Sequence, residues 1–296
     1  MLLSLIGSAP TEFADRIRTY LEGKTDRRQP RIASYLPVPL VEALAELEGK
    51  IHQSIADYLD EPAVLMIERE VTQRIEELRS QAPFRLSHNA DLSLGRLCYA
   101  ICRAVQPEIV VETGTGYGVT TSFLLAALAE NQRGQLHSVD LPPLAANADS
   151  YVGWLIPNAL RTRWRLHRGS SRRVLPPLLD ALPPVDVFVH DSLHTYAHMR
   201  WEFEQVERHL ADEAILLADD AEDNAAFAEW GKREEVIYSK LVADDDITMR
   251  YGISAEGVSA SLREPHILCH PSSDGAPPMR ALVGTGSVAT ACSTSR

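Results

Sequence analysis

A glycine-rich segment at residues 112–118, with the sequence Glu-Thr-Gly-Thr-Gly-Tyr-Gly, most constrains how this chain of 296 residues can fold. The apolar run 109–111 before it predicts a short buried strand, and Val119–Glu130 after it has apolar residues at helical spacing. Glycine adopts backbone dihedrals that a Cβ forbids, and it lets a ligand approach the main chain closely. The free N–H groups at the start of the helix face the same ligand. The segment therefore predicts a nucleoside-binding turn in an α/β protein.

Two kinds of nucleoside-binding loop compete for this segment. The dinucleotide pattern Gly-x-Gly-x-x-Gly has a third glycine where the helix packs on the strand. Gly114 and Gly116 occupy its first two places. Val119 stands at the third place, and Gly118 is an additional glycine. An acid followed by three alternating glycines instead resembles motif I of class I S-adenosylmethionine-dependent methyltransferases. An NAD-dependent oxidoreductase and a turn that binds nothing remain the alternatives for the loop alone.

Residues from about 86 to 237 alternate predicted helices and strands, which is the pattern of a parallel sheet with crossover helices. The predicted strands are 109–111, 135–139, 164–167, 185–189, 214–218, 236–241 and 247–253. The last two are expected to form an antiparallel pair. Ligands of such sheets bind beyond the carboxyl ends of the strands. Polar residues at those ends are therefore the candidate site.

The flanking regions differ from this core. Residues 1–84 are predicted to be a helical cap or dimerisation region, because 40–59 and 63–78 carry apolar residues at three-to-four spacing. Residues 85–265 are expected to form the cofactor-binding domain. Residues 266–296 are rich in Ser, Gly, Ala, Thr and Pro, so a disordered tail is predicted. The acceptor pocket is expected to involve 32–82 and 244–265.

Composition narrows the partners. A net charge of -12 argues against nucleic acid, whose phosphates favour clustered Lys and Arg. The local exception is a basic cluster, interpreted as a solvated rim or as a contact for an anionic substrate: Arg161, Arg163, Arg165, Arg168, Arg172 and Arg173. No signal peptide or membrane-length apolar run is recognised. Cys98 and Cys102 are expected to be buried free thiols, which favours a cytoplasmic protein.

Cofactor contacts are predicted around the glycine loop and the next two strand ends. Asp140 ends the second predicted strand, where a carboxylate can accept hydrogen bonds from both ribose hydroxyls. A helix N-cap is its alternative. Residues 169–171 either approach the adenine or cap the following helix. The candidate cofactor-binding residues are Glu112, Thr113, Gly114, Gly116, Gly118, Thr120, Asp140, Leu141, Gly169, Ser170, Ser171 and Asp191.

Three acids follow the fourth and fifth predicted strands, namely Asp191, Asp219 and Asp220. Unpaired carboxylates at one rim repel each other and raise their pKa values. A divalent cation removes that cost, and ligation by oxygen alone suits Mg²⁺ or a similar hard ion. The three acids are therefore predicted metal ligands.

The motifs together carry a specific resemblance. Residues 112–130, the motif Asp191-Ser-x-His194-Thr-Tyr196, and 216–220 followed by Asn224-x-x-Phe227 resemble small-molecule O-methyltransferases. That broad class includes the catechol, caffeoyl-coenzyme A, macrolide-sugar and cephalosporin-hydroxylase-like enzymes (methyltransferase family 24). The resemblance covers roughly 86–240. It implies a Rossmann-like, seven-stranded, mostly parallel sheet with helices on both faces and S-adenosylmethionine over the glycine loop. In the metal-dependent members, Asp191, Asp219 and Asp220 match the metal-binding positions.

The resemblance also implies a reaction, the O-methylation of a small molecule that bears a hydroxyl group, such as a secondary metabolite. The family motif often reads Asp-Gly-Asp-His, and its second acid is the base in some sugar methyltransferases. Leu193 stands there and cannot take a proton. His194 is the nearest replacement, since imidazole titrates near neutral pH, with a structural hydrogen bond as its alternative. Asp191 and His194 are therefore the predicted catalytic residues. The alternative function is a protein of the same fold that is not a methyltransferase, either a hydroxylase-like or pericyclic enzyme or a non-catalytic partner.

Overall fold

The computed structural model describes residues 2–86, 91–242 and 251–256. Within them the chain forms a seven-stranded sheet in the order β3-β2-β1-β4-β5-β7-β6. The strands are β1 (Ile109–Thr113), β2 (Gln135–Asp140), β3 (Trp164–Arg168), β4 (Val185–His190), β5 (Leu210–Ala218), β6 (Val236–Val242) and β7 (Tyr251–Glu256). The first five strands are parallel, whereas β7 is antiparallel to both β5 and β6. The predicted mostly parallel sheet with a final antiparallel pair is confirmed.

Helices cover both faces of this sheet, as predicted. The α-helices in the described part of the chain are α1 (Leu5–Ser8), α2 (Pro10–Arg28), α3 (Leu40–Ile51), α4 (Pro62–Leu78), α5 (Leu92–Val105), α6 (Val119–Glu130), α7 (Ala148–Tyr151), α8 (Ser171–Ala181), α9 (Tyr196–Val206) and α10 (Ala226–Trp230). Short 3₁₀ turns occupy Ala56–Tyr58, Asn158–Arg163 and Glu207–His209. The predicted helix after the glycine loop coincides with α6.

Side chains alternate between the two faces of each strand, so the sheet has a hydrophobic core on either side. Val110 and Val187 join the core beneath α3 to α6, whereas Val111 and Phe188 join the core beneath α8 to α10. Neighbouring strand residues point to opposite faces, so a strand buried on both faces is apolar throughout. Both Cys98 and Cys102 of α5 are buried and free, as expected.

The N-terminal helices attach to the sheet in two ways. Helices α3 and α4 pack their apolar residues into the first core, and Val38 bridges to β6 by donating its N–H to Leu241 O at 2.9 Å. Helix α2 buries only Glu12 and is held by polar contacts. The division of the chain at residue 84 remains a prediction.

The strand boundaries differ most from expectation at β5 and β7, and elsewhere by one or two residues. Strand β5 begins at Leu210, four residues before the predicted start, because polar Asp212 and Glu213 extend the strand without continuing its apolar run. Glu213 adopts a positive φ of 65°, next to an irregular register with β4. The seventh strand is described from Tyr251 onward, and the earlier part of its predicted range lies outside the described residues, as does the expected tail at 266–296.

Candidate cofactor and catalytic site

The glycine loop turns by positive backbone φ angles at alternate positions: 86° at Gly114, 52° at Gly116 and 95° at Gly118. A Cβ on Gly114 would lie 1.8 Å from the backbone oxygen of Asp191, so the loop packs directly against the chain leaving β4. Gly118 is the N-cap residue of α6. The loop therefore needs glycine for its packing as well as for its conformation.

The acid at the start of the motif braces the loop from below. Glu112 is fully buried and accepts hydrogen bonds from Thr121 Oγ1 and Ser138 Oγ, each at 2.8 Å. Burial raises its pKa to about 7, although the two hydroxyl contacts oppose the shift. Thr113 Oγ1 donates to Glu202 Oε2 at 2.6 Å, and Thr120 is buried in the first turn of α6. In the structure these predicted cofactor residues support the loop from within.

A cavity of 460 Å³ opens beyond the carboxyl ends of the strands. That volume is within the usual range for small-molecule sites. The predicted cofactor residues that line it are Gly114, Gly116, Asp140, Leu141, Gly169, Ser170, Ser171 and Asp191. Four separate strand ends, predicted from the sequence, therefore meet at one cavity.

The two carboxylate oxygens of Asp140 differ in their hydrogen bonding. Its Oδ1 accepts a hydrogen bond from the backbone N–H of Thr115 at 3.3 Å, while Oδ2 is buried and has no hydrogen-bond partner among the described residues. Burial raises the pKa of Asp140 to about 6. A buried acceptor without a partner is costly unless a ligand satisfies it. The N-cap alternative is wrong for Asp140, because the next helix begins at Ala148 behind Asn147.

Ser170 presents a second open polar atom to the cavity. It occupies the N-cap position of α8, but its side chain makes no capping hydrogen bond. Its Oγ is buried and has no hydrogen-bond partner in the described part of the chain. Ser170 is therefore an N-cap by position whose hydroxyl is available to a ligand.

Helix α2 forms a wall of the cavity that the sequence did not predict. Arg16, Thr19 and Tyr20 line it, together with Leu2 and Phe84. These described N-terminal lining residues lie outside the predicted acceptor segment 32–82. The second such segment, 244–265, lies mostly outside the described residues.

Ion pairs fasten α2 to the basic cluster. Glu12 pairs with Arg168 at 2.8 Å, Asp15 pairs with Arg173 at 3.0 Å, and Glu22 pairs with Arg172 at 2.8 Å. With 3.6 residues per turn, positions 12, 15 and 22 fall on one face of the helix. The solvated-rim interpretation is wrong for Arg172, which is mostly buried between Glu22 and Trp201, whereas Arg168 and Arg173 pair with α2 at the exposed surface.

The polar cluster beyond β4 and β5 contains the predicted catalytic and metal-binding residues. Donor atoms of Asp191, His194 and Asp219 all lie within 4.8 Å of one another. Burial, followed by the charge of Asp219, raises the pKa of Asp191 well above its usual range. Burial likewise raises the pKa of Asp219 to about 6. The two carboxyl groups therefore favour a shared proton or a cation.

Asp220 points away from this group of donors. Its backbone has a φ of 44°, and its Oδ2 lies 3.0 Å from His194 Nδ1. That hydrogen bond lowers the pKa of Asp220. Burial acts to lower the pKa of His194, but the hydrogen bond to Asp220 and the charge of Asp219 outweigh it, so the pKa is raised. The other ring nitrogen, Nε2, is buried, lies 3.8 Å from Asp191 Oδ1 and has no hydrogen-bond partner within the described ranges.

A buried carboxylate, Glu202 of α9, holds the loop that carries these residues. It accepts hydrogen bonds from Thr113 Oγ1 and Ser192 Oγ, and its two oxygens contact His190 Nδ1 at 2.6 Å and His198 Nε2 at 2.9 Å. The two histidines on either side of His194 in the sequence thus contact Glu202, a contact that the motif did not indicate. Burial acts to raise the pKa of Glu202, but the charges of His198 and His190 outweigh it and hold the pKa well below normal.

Among the described helices, none has both the length and the apolar character that a membrane span requires.

Comparison with known proteins identifies the central region. Residues 111–221 match the model of a methyltransferase family, methyltransferase family 24, described as a methyltransferase domain. None of the curated proteins compared with this sequence matches it.

Solved structures with a similar arrangement include three methyltransferases. The O-methyltransferase TomG from Streptomyces achromogenes, involved in tomaymycin synthesis and bound to S-adenosylmethionine, is 16% identical, with 67% of this chain and 91% of that chain covered and a TM-score of 0.48. An O-methyltransferase from Bacillus cereus bound to S-adenosylhomocysteine is 12% identical, with 73% and 100% covered and a TM-score of 0.48. A methyltransferase from Geobacter sulfurreducens is 21% identical, with 66% and 90% covered and a TM-score of 0.45.

The family match falls on the residues whose motifs carried the resemblance. It spans the glycine loop, Asp140, residues 169–171, the Asp191 motif and Asp219 with Asp220. Residues 111–221 therefore match a methyltransferase domain, and the resemblance of this chain to class I S-adenosylmethionine-dependent methyltransferases is confirmed.

Proposed function

We propose that this protein transfers a methyl group from S-adenosylmethionine to a hydroxyl oxygen of a small molecule. The observation that carries the proposal is the shared cavity. The glycine loop and the open oxygen of Asp140 line the same space as Asp191, which belongs to the polar cluster. A donor and an acceptor can therefore meet at the ends of adjacent strands.

The residues present fit S-adenosylmethionine. Asp140 Oδ2 is a buried acceptor that lacks a donor, which suits a ribose hydroxyl. The open hydroxyl of Ser170 lies at the neighbouring strand end and is suited to the adenine edge. Leu141 and Pro143 supply apolar lining beside Asp140. The predicted roles of Glu112, Thr113, Gly118 and Thr120 are then to hold the loop in shape for the cofactor.

Methyl transfer requires the protein mainly to position the two reactants. S-adenosylmethionine supplies an electrophilic methyl group on a sulfonium centre. The chain must align an acceptor with that group and remove the hydroxyl proton, and alignment alone supplies a large part of the acceleration. Leu193 cannot take a proton, so Asp191 and His194 are the nearby candidates to hold it. Helix α2 excludes water from one side of the cavity.

We further propose that a divalent cation assists the methyl transfer. A divalent cation lowers the pKa of an acceptor hydroxyl as a Lewis acid. The acids predicted to hold Mg²⁺ or a similar ion are Asp191, Asp219 and Asp220. The fit of Asp191 and Asp219 is supported by their raised pKa values, which a cation between them relieves, whereas Asp220 lies outside the group whose donor atoms stand within 4.8 Å of one another.

The proposed reaction is tested by the release of S-adenosylhomocysteine from purified protein offered a panel of phenols, catechols and sugar hydroxyls. Acceptor-dependent release supports O-methylation. Tight binding of S-adenosylmethionine without release from any acceptor supports the alternative of a non-methyltransferase of the same fold. Calorimetric binding of NAD in place of S-adenosylmethionine contradicts both. Asp219→Ala is expected to abolish turnover and to leave the affinity for S-adenosylmethionine largely unchanged.

The proposal extends to the partners and the compartment. We expect a secondary-metabolite acceptor, a cytoplasmic protein and no nucleic-acid partner, since the net charge is -12 and α2 pairs with three of the clustered arginines. Exposed apolar side chains at Ile6, Tyr20 and Leu21 support a homodimer through the N-terminal helices. Light scattering that gives the mass of one chain at micromolar concentration contradicts the dimer.

A further inference from the structure

The side chains brought together beyond β4 and β5 differ from the all-acid set of the sequence motif. The compact group is Asp191, His194 and Asp219, whose donor atoms lie within 4.8 Å of one another. Asp220 contacts the opposite side of the imidazole. The geometry therefore offers two carboxylates and one nitrogen to a single point.

The separation of His194 from Asp191 suits a shared ion better than a direct contact. Nε2 lies 3.8 Å from Asp191 Oδ1, beyond the range of about 2.7 to 3.2 Å for a hydrogen bond. Two ligands at roughly 2.0 to 2.2 Å from one ion stand about 3 to 4.4 Å apart, depending on their angle. Nε2 is also buried and has no hydrogen-bond partner in the part of the chain that the structure describes. A cation between the two residues satisfies both atoms.

Asp220 fixes the imidazole for that role. Its Oδ2 lies 3.0 Å from Nδ1, so the Nδ1–H bond points at the carboxylate and the lone pair remains on Nε2, which lies 3.8 Å from Asp191 Oδ1. Histidines that bind metals commonly donate their other N–H to a carboxylate in this way, which sets the tautomer and the ring orientation.

We propose that His194 Nε2, with one oxygen each from Asp191 and Asp219, binds a divalent transition-metal ion and that Asp220 positions the imidazole. The assignment deepens the proposed function and rests on it, since it defines the metal of that same site. A nitrogen ligand shifts the preference from Mg²⁺ toward Mn²⁺, Co²⁺ or Zn²⁺. With the lone pair of Nε2 on the ion, His194 loses the proton-accepting role for which it was a candidate above.

Mn²⁺ binding to the full chain tests the proposal independently of turnover. The free Mn²⁺ signal in electron paramagnetic resonance gives the affinity, and pulsed measurements report coupling to an imidazole nitrogen. Wild type should bind Mn²⁺ at least about 10-fold more tightly than Mg²⁺ and show that coupling. His194→Ala should abolish the coupling and weaken binding by about 100-fold or more. Asp220→Asn should keep the coupling and weaken binding by about 10- to 100-fold.

Two further variants separate a ligand from a structural residue. His194→Cys should regain tight binding of Cd²⁺, since a thiolate is a soft ligand, whereas a lost base or a lost hydrogen bond would not be restored in this way. Asp223→Asn is the matched control: it lies beside Asp220, belongs to a different possible set with His194, and should bind Mn²⁺ as wild type does. Circular dichroism confirms that each variant is folded.

The opposite results overturn the proposal. These are bound Mn²⁺ without nitrogen coupling, loss of binding in Asp220→Asn but not in His194→Ala, or no metal binding at all. Methyl transfer without bound metal overturns the metal site and leaves the proposed function standing. Nitrogen-coupled Mn²⁺ in a protein that releases no S-adenosylhomocysteine supports the site and contradicts the proposed function.

Discussion

The carboxylate of Glu22 on α2 lies 2.8 Å from the guanidinium of Arg172 on α8. The guanidinium of Arg172 also stacks over the ring of Trp201, at 4.7 Å from its centroid. Together with the pairs at Glu12 and Asp15, this contact holds α2 beside the cavity by charge, because only Glu12 of that helix is buried. The wall that α2 contributes is therefore sensitive to charge and to salt.

Reversing the charge at Arg172 should loosen this wall. Arg172→Glu places like charges at Glu22, and a loss of ~1 kcal/mol corresponds to roughly a fivefold weaker affinity for S-adenosylmethionine. Trypsin should also cleave α2 faster. Arg165→Glu is the control, since Arg165 belongs to the same cluster but its described hydrogen bonds go only to backbone oxygens. Equal affinities and cleavage rates in the two variants would contradict this role for α2.

Asp140 should carry a large share of the cofactor affinity. Asp140→Asn keeps the size of the side chain but removes the charge that strengthens hydrogen bonds to ribose, which costs about 1.5 to 3 kcal/mol, or roughly 10- to 150-fold in Kd. Calorimetric titration with S-adenosylmethionine measures the effect. Asp149→Asn is the matched control, because Asp149 is largely exposed and pairs with Arg168. A wild-type Kd in Asp140→Asn would remove the ribose assignment.

Glu112 should make stability decrease as the pH rises. Its folded-state pKa is raised from 4.5 to about 7 by burial, so the folded protein binds the proton more tightly than the unfolded chain. The resulting stability is fully present below about pH 4.5 and is lost as the pH rises through 7, amounting to about 3 kcal/mol at most. Glu112→Gln should flatten this part of the profile. Urea unfolding from pH 5 to 8 measures it, and identical slopes in the two proteins would contradict the assignment.

Replacing Glu202 should destabilise the protein far more than replacing an exposed acid on the same helix. Glu202→Gln removes a buried charge that faces His198, whose pKa is held at about 9 because the charge of Glu202 outweighs the effect of burial. Breaking a buried ion pair costs about 3 to 5 kcal/mol. Glu204→Gln, which removes an exposed partner of Arg200, should cost less than about 1 kcal/mol. Urea unfolding gives both values, and similar costs would show that Glu202 is not a structural hub.

The sequence indicated the elements better than the contacts between them. Strands such as Val185–His190 are buried on both faces and therefore appear as apolar runs, and glycines at positive φ marked the turn before α6. Helix α2 has no comparable apolar stripe, so its position at the cavity was not visible in the pattern. Its acids act through arginines about 150 residues away, and such pairing depends on the tertiary fold.

The sequence predicted which strand ends form the candidate site, but it did not predict the directions of the side chains there. Asp140, Asp191 and Asp219 lie at the ends of β2, β4 and β5, where they were expected, because parallel strands share one carboxyl edge. The contact of Asp220 with Nδ1 of His194 accompanies a positive φ at Asp220, which nothing in the local sequence indicates for an aspartate. Glu202 was missed because it lies on the helix behind the motif, where a glutamate is ordinarily solvent-exposed.

The close approach of Gly114 to the backbone oxygen of Asp191 has a consequence for redesigning this protein. Two segments that are about 75 residues apart in the chain share one interface without side chains between them, so neither can be transplanted from a relative alone. A chimera that takes a new loop after β4 should take the matching glycine segment with it. Libraries that vary the acceptor end should therefore treat the two segments as a single exchangeable module.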